Sequence, residues 1–168
     1  MSKTTFSAEE ILKIARRIES NGARFYRAAA EKFTDESLRE LVLSIAEMED
    51  QHERIFKIIQ STLLQEETGH VAFPDSPEGE AYLNALADGY VFDIREDLIE
   101  TLAGYETIEE ILRKAIDLEK DSIIFYLGLK DMVRNDQEKA RIDEIIREEM
   151  DHITTFSRHL ETISGKMN

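Results

Sequence analysis

The segment IAEMEDQHERIF at residues 45–56 returns 100 positions later as IIREEMDHITTF at residues 145–156. Both copies contain the pattern Glu-x-x-His, formed by Glu49, His52, Glu149 and His152. Residues three apart lie on the same face of a helix, and in both copies that face also carries an isoleucine and a phenylalanine. The pattern predicts two long helices that each bury a carboxylate and an imidazole within an apolar stripe.

The repeat extends over both halves of the chain without a gap. Glu19 matches Glu119, and each precedes the glutamate of its Glu-x-x-His pattern by 30 residues. Tyr26 matches Tyr126 in the same register. Each half therefore reads as one helix hairpin, with a glutamate on its first helix and Glu-x-x-His on its second. Two such hairpins predict an approximate two-fold axis on which the matched polar side chains converge.

Apolar residues recur at steps of three and four in four long stretches, at about residues 7–33, 35–65, 107–133 and 135–164. In a chain of 168 residues, helices of that length can bury their apolar stripes only against one another. The joints inside each half are only a few residues long, which makes both halves antiparallel hairpins. The expected fold class is all-α, a four-helix bundle that forms a single domain over residues 1–168.

The expected helix ends follow from cap signals and from the composition of the connections. Three polar residues are each followed three positions later by Glu, which predicts helix starts at Ser7, Thr107 and Asn135. Gly165 is expected to stop the last helix. The connection at residues 66–106 contains both prolines and is long enough to run the length of the bundle. Within it we expect two short helices, at about 80–87 and 96–102.

Composition excludes several classes of function. The chain has 36 acidic and 21 basic residues and a net charge of −15, which argues against binding nucleic acid or an anionic membrane surface. The absence of cysteine excludes disulfides, thiolate nucleophiles and cysteine-ligated metals. The N-terminus lacks the apolar core of a signal peptide, and no apolar run approaches the roughly 20 residues of a membrane span. We therefore expect a soluble, cytoplasmic protein.

The repeated polar residues are expected to meet inside the bundle, where four unpaired carboxylates need a compensating charge. Two divalent cations would balance them, and mixed carboxylate and imidazole ligation suits iron or manganese. One Glu from each of two helices with Glu-x-x-His from the other two is the ligand set of ferritin-like di-iron and di-manganese proteins. The predicted metal ligands are Glu19, Glu49, His52, Glu119, Glu149 and His152.

These residues give the chain a resemblance to the rubrerythrin-type branch of the ferritin-like di-iron carboxylate superfamily. The resemblance rests on Glu19, Glu119, Glu49-Asp50-Gln51-His52 and Glu149-Met150-Asp151-His152. It implies a ferritin-like bundle with a long crossover between the second and third long helices. It also implies two iron ions and a non-haem oxidoreductase that reacts with H2O2 or O2, as a peroxidase or ferroxidase.

The resemblance also implies a role for each residue. Glu19 and Glu119 would be terminal carboxylates, one for each ion. Glu49 and Glu149 would bridge the two ions, and His52 and His152 would each cap one ion. Tyr26 and Tyr126 match tyrosines that lie beside the ligands and orient them. Read from the residues alone, both tyrosines also suit a core position with a satisfied hydroxyl.

The chain departs from rubrerythrins in two respects. Rubrerythrins carry a second glutamate on the third long helix, where this chain has Ser122, which puts their exchange of metal ligands in doubt. Without cysteine the chain cannot build the rubredoxin centre that supplies their electrons, so an external donor such as a rubredoxin-like protein is expected. We also expect a homodimer.

Three other functions stay open from the sequence. The chain could be an iron-binding or storage protein without turnover, a di-manganese catalase-like protein, or a structural bundle whose Glu-x-x-His pairs are solvated. Gly22 either lets helices approach closely or leaves room for O2 or peroxide beside the metals. His70 is interpreted as a loop residue, and His159 as a surface residue or one outside the ligand set.

Overall fold

A computed structural model of the chain describes residues 8–66, 77–85, 102–105, 107–133 and 135–165. Within these residues there is no β-strand. The helices are α1 (Ala8–Ala30), α2 (Glu36–Glu66), α3 (Pro77–Ala85), α4 (Ile108–Met132) and α5 (Asp136–Gly165). The four long helices confirm the predicted all-α bundle. A single domain over the whole chain stays a prediction.

α2, α4 and α5 each begin within one residue of the predicted start. The Asp35 carboxylate accepts the backbone N–H of Leu38 at 2.9 Å and caps α2. Thr107 and Glu110 form the predicted capping box at the start of α4. At the start of α5 the Asn135 side chain accepts a backbone N–H at 2.9 Å. The predicted cap at residue 7 lies outside the described residues.

The predicted ends of α1 and α5 are wrong, by three residues and by one residue. α1 ends at Ala30 instead of 33, because the chain tightens into a turn in which the N–H of Lys32 bonds to the carbonyl of Ala29 at 2.9 Å and Phe33 enters the core. α5 continues through Gly165 instead of stopping before it, since this glycine does not adopt the positive φ of a helix-ending residue.

The connection between the hairpins differs in part from the prediction. The short helix α3 begins at Pro77, three residues before the predicted start, because proline is well suited to the first helical position. It ends at Ala85. The Tyr82 hydroxyl donates to the carbonyl of Ile124 at 3.2 Å, which joins α3 to α4. The second short helix, expected at 96–102, lies outside the described residues except at its last position.

The buried apolar residues form two clusters with a polar layer between them. One cluster takes residues early in α1 and α5 and late in α2 and α4, for example Ile11, Ile142, Ile59 and Leu129. The other takes the opposite ends of the same helices, for example Phe25, Phe156, Val42 and Ile111. α2 therefore ends at the opposite end of the bundle from the start of α4. The connection must run the length of the bundle, as predicted.

Each long helix has two long-helix neighbours. α1 packs against α2 and α4, and α5 packs against α4 and α2. Neighbouring helices run antiparallel, because the cluster that holds the early part of one holds the late part of the next. Among the described residues, no helix is both long and apolar enough to cross a membrane.

Candidate metal centre

The polar layer between the two apolar clusters contains all six predicted metal ligands. It lies at the middle of the four long helices, and each helix contributes at least one side chain to it. None of the six is more than 4% exposed: Glu19, Glu49, His52, Glu119, Glu149 and His152. The chain therefore places four carboxyl groups and two imidazoles in its interior, where an uncompensated charge is strongly unfavourable.

Ligand atoms from these residues form two groups, and within each group all of them lie within 4.8 Å of one another. One group consists of Glu19, Glu49, His52 and Glu149, and the other of Glu49, Glu119, Glu149 and His152. Glu49 and Glu149 belong to both groups. Two shared carboxylates are what a pair of neighbouring cations needs as bridging ligands. Each group then provides its own cation with one further carboxylate and one imidazole.

Both histidines direct the Nδ1 atom toward the carboxylates. The Nδ1 of His52 lies 3.1 Å from Glu149 Oε1 and 3.4 Å from Glu19 Oε2. The Nδ1 of His152 lies 3.0 Å from Glu149 Oε2 and 3.4 Å from Glu119 Oε1. The two rings are nearly parallel, with centroids 6.4 Å apart. Nδ1 is therefore the imidazole atom available to a metal at both positions.

The two buried tyrosines connect the hairpins to each other. The Tyr26 hydroxyl, from α1, donates to Glu119 on α4, and the Tyr126 hydroxyl, from α4, donates to Glu19 on α1. Burial raises the pKa of both tyrosines well above its usual value, so both hydroxyls keep their protons and remain donors. Each tyrosine thus holds the first-helix glutamate of the opposite repeat in place, and both lie beside predicted ligands.

Gly22 lies against the carboxyl group of Glu49. A Cβ atom added at this glycine would be 3.0 Å from Glu49 Oε2, closer than an ordinary contact. The repeat-related residue is Ser122, whose hydroxyl donates to the backbone carbonyl of Leu118 at 3.0 Å. Gly22 therefore makes room for a predicted ligand, and Ser122 supplies no carboxylate to the centre.

Electrostatics within the layer show how the protein tolerates these groups without a cation. Burial raises the pKa of Glu49 and of Glu119 well above its usual value, and the Glu149 carboxylate raises both further. Burial opposes charge on the imidazoles, but the neighbouring carboxylates raise the pKa of His52 to about 11 and of His152 to about 9. Burial likewise opposes charge on Glu149, but the two neighbouring histidines lower its pKa to about 2. Protons thus supply part of the positive charge that the layer requires.

The residues present fit a pair of metal ions, on the evidence of unsatisfied polar atoms. In the part of the chain that the structure describes, five buried side-chain atoms lack a hydrogen-bond partner: Glu19 Oε2, Glu49 Oε1, His52 Nδ1, Glu149 Oε1 and His152 Nε2. All of these atoms except His152 Nε2 face the interior of the two ligand groups. Buried polar atoms are nearly always satisfied, so a cluster of unsatisfied oxygen and nitrogen atoms indicates a site for a cation.

One contact of the centre was not predicted from the sequence. Glu148 Oε2 lies 2.6 Å from the Nε2 of His52, on the side of the ring away from the carboxylates. The sequence signal was a mismatch in the repeat, since the position related to Glu148 holds Met48. His159 is partly exposed on α5 and belongs to neither ligand group. His70 lies outside the described residues.

Two solved structures share the fold over nearly the whole chain. A protein of Thermotoga maritima, described as a candidate ferritin-like diiron-carboxylate protein, is 27% identical and superposes with a TM-score of 0.65, covering 94% of this chain and 96% of that one. A hypothetical protein of Pyrococcus furiosus is 25% identical with a TM-score of 0.66, covering 95% and 92%. Among curated proteins, none matches the chain.

The sequence itself matches one family model. The model is that of Rubrerythrin, and it covers residues 10–160, which include all six predicted ligands and both buried tyrosines. The four-helix bundle of this chain agrees with the ferritin-like diiron-carboxylate description of the Thermotoga maritima protein. The two Glu and His groups of this chain agree with it as well. On this match the chain belongs to the Rubrerythrin family.

Proposed function

We propose that this protein is a di-iron oxidoreductase that reacts with H2O2 or O2, as a rubrerythrin-like peroxidase or ferroxidase. The observation that carries the proposal is the pair of ligand groups that share Glu49 and Glu149, with unsatisfied oxygen and nitrogen atoms inside them. Carboxylates with imidazoles suit iron, and manganese to a similar degree. Family membership supports iron chemistry as the leading case.

The two ligand groups support a role for each residue in the proposed centre. Glu19 and His52 would hold one ion, Glu119 and His152 the other, and Glu49 and Glu149 both. When bound, two ferrous ions supply the electron pair that reduction of an O–O bond requires.

The other buried groups keep the centre ordered and dry. The tyrosine hydroxyls hold Oε1 of each first-helix glutamate, and the other oxygen of Glu19 has no hydrogen-bond partner among the described residues, which leaves it free for a metal. The side chains of Phe25, Phe56, Phe125 and Phe156 are completely buried next to these tyrosines. They exclude bulk water, which strengthens every electrostatic interaction between the carboxylates and a cation.

An electron donor must come from outside these 168 residues. They contain no cysteine for a rubredoxin-type centre. We propose an external one-electron donor such as a rubredoxin-like protein. The homodimer and the cytoplasmic location stay predictions from the sequence.

The test is anaerobic reconstitution with Fe(II), followed by a challenge with H2O2 and, separately, with O2. We expect two Fe(II) per chain and oxidation of both by at least one oxidant, faster than that of free Fe(II) under the same conditions. The variant His152→Ala should lose one ion, whereas His159→Ala, the matched control outside the groups, should keep two. Binding of two Fe(II) without accelerated oxidation would refute the oxidoreductase.

The same experiment separates the alternatives. An iron-storage protein would take up many iron ions per chain in a large hollow assembly, which is visible as mass by size exclusion. A di-manganese catalase-like protein would disproportionate H2O2 repeatedly after loading with Mn(II) and without a reductant. Unchanged metal content in the double variant Glu49→Ala/Glu149→Ala would indicate a purely structural bundle.

A further inference from the structure

The two histidines of the centre differ in what lies behind them. The Nε2 of His52 is 2.6 Å from the carboxylate of Glu148, while the imidazole is only 1% exposed. A carboxylate oxygen accepts, so the hydrogen bond places the proton on Nε2. When a metal displaces one proton from the imidazole, the proton on Nε2 stays and the lone pair is on Nδ1, which is the atom that faces Glu19 and Glu149. Glu148 thus selects the tautomer of His52 that can bind a metal.

His152 has no such support. Its Nε2 is buried and lacks a hydrogen-bond partner. The repeat relates Glu148 to Met48, and a thioether is at most a weak acceptor. Among the described residues, no comparable acceptor therefore holds the proton on Nε2 of His152. The ligand atoms of the two groups are related by the repeat, but this outer contact is not.

We propose that Glu148 is a positioning residue that makes the two metal positions unequal. The ion held by Glu19 and His52 is bound more tightly, and the ion held by Glu119 and His152 is the one that exchanges. This inference rests on the proposed function, since it concerns the same pair of ions. A carboxylate behind a metal-binding histidine increases the basicity of the ligand and fixes its orientation, and its loss typically weakens metal binding by about 10–100-fold.

The location of Glu148 suits a test by substitution. Its side chain is 38% exposed, so replacing it leaves no cavity in the core. The repeat also provides a matched experiment, because the carboxylate can be moved to position 48 in the other half. A contact that only stabilised the fold would not transfer its effect from one metal position to the other.

The experiment uses the full chain loaded with Co(II) alone and measures release of the metal to an excess of chelator. In the wild type we expect two phases of equal amplitude whose rates differ by about 10–100-fold. Glu148→Met should convert the slow phase to a fast one, whereas Glu148→Gln should retain part of the difference, because an amide oxygen still accepts. Met48→Glu should convert the fast phase to a slow one, and the exchange Met48→Glu/Glu148→Met should restore two phases.

Three results would overturn the inference. These are a single phase from the wild type, two phases that persist unchanged in Glu148→Met, and equal effects of Glu148→Gln and Glu148→Met. Circular dichroism of each metal-free variant establishes that it folds. Failure to bind Co(II) at all would contradict the proposed function as well, whereas two ions released at equal rates would contradict only the role of Glu148.

Discussion

The substitution Gly22→Ala should change metal affinity and the stability of the metal-free protein in opposite directions. The added Cβ would lie 3.0 Å from Glu49 Oε2, 3.4 Å from its Cδ and 3.6 Å from its Cγ. An ordinary carbon–oxygen contact is about 3.3–3.6 Å, so the carboxylate oxygen has to move by about 0.3–0.6 Å. Metal–ligand distances tolerate only about 0.2 Å. We therefore expect both ions, which share Glu49, to bind more weakly by roughly 10-fold, or about 1.4 kcal/mol.

The metal-free protein should respond in the opposite sense. Glycine inside a helix costs about 0.5–1 kcal/mol relative to alanine, and Gly22 lies well within α1. Without a metal no ligand bond fixes the Glu49 carboxyl group, so its side chain can turn away from the added methyl group. The free energy of unfolding should increase by about 0.5–1 kcal/mol, and Tm by about 1–4 °C for a chain of this length.

The assays are thermal unfolding of chelator-treated protein, followed by circular dichroism, and a competition titration with Mn(II) or Co(II). The matched control is Ser122→Ala at the repeat-related position, which improves helix propensity but adds no heavy atom. It should leave metal affinity unchanged. Unchanged affinity in Gly22→Ala would refute the idea that this glycine reserves space for Glu49. Destabilisation of the metal-free variant would show that the carboxylate has no room to move.

Three further predictions concern the tyrosines, the histidines and one helix cap. Tyr126→Phe leaves a buried carboxylate without its hydrogen-bond donor and should lower the free energy of unfolding, measured in urea, by about 1–3 kcal/mol. The control Tyr82→Phe, at an exposed side chain, should change it by less than about 0.5 kcal/mol. Equal effects of the two variants would contradict this prediction. Because the pKa of His52 is about 11 and that of His152 about 9, their stabilisation of the metal-free protein is complete below about pH 6.5 and is lost as pH rises through those values. Metal uptake at pH 7 should therefore release protons. Metal uptake without proton release in a pH-stat would contradict the raised pKa values of the two histidines. Thr107→Ala should lower the free energy of unfolding by about 1 kcal/mol while metal affinity stays unchanged, and a large loss of affinity would argue against a purely local cap.

The ligand set could be predicted because it is repeated. A single Glu-x-x-His pattern on a helix has a solvated surface as an equally good explanation. The second copy at the same distance from a matched glutamate, with apolar residues on the same face, removes that ambiguity. The same periodicity predicts the four long helices, because a buried stripe on each helix has to face the others.

What the sequence could not predict depends on contacts between distant segments. The space that Glu49 needs beside Gly22 and the hydrogen bond from His52 to Glu148 join different helices, and no local pattern encodes either contact. Helix ends depend on such contacts as well. α1 stops where Phe33 turns into the core, and packing decides that position more than propensity does.

The two hairpins have also diverged where the repeat leaves them free to do so. In the first hairpin, Arg16 bonds to Glu53 at 2.7 Å and to Gln60 at 3.0 Å. The corresponding residues of the second hairpin are Ile116, Ile153 and Leu160, which are apolar. At this position α1 and α2 are thus joined by polar contacts, whereas the corresponding residues of α4 and α5 pack in a hydrophobic cluster. Comparison of the two halves could locate this difference but could not predict its geometry.

The tyrosine contacts have a consequence for how such a centre can arise. Each hairpin contributes one glutamate, one Glu-x-x-His pair and one tyrosine whose hydroxyl serves the glutamate of the opposite hairpin. A short peptide of this kind, paired with an identical copy of itself, already contains every group that the centre uses. Gene duplication and fusion preserve that set while releasing each copy from the constraint of being the same, so that differences such as Met48 and Glu148 can accumulate. The symmetry of the site thus lets half of the sequence specify the whole ligand set, and positions where the halves differ are where a fused chain can acquire a new property.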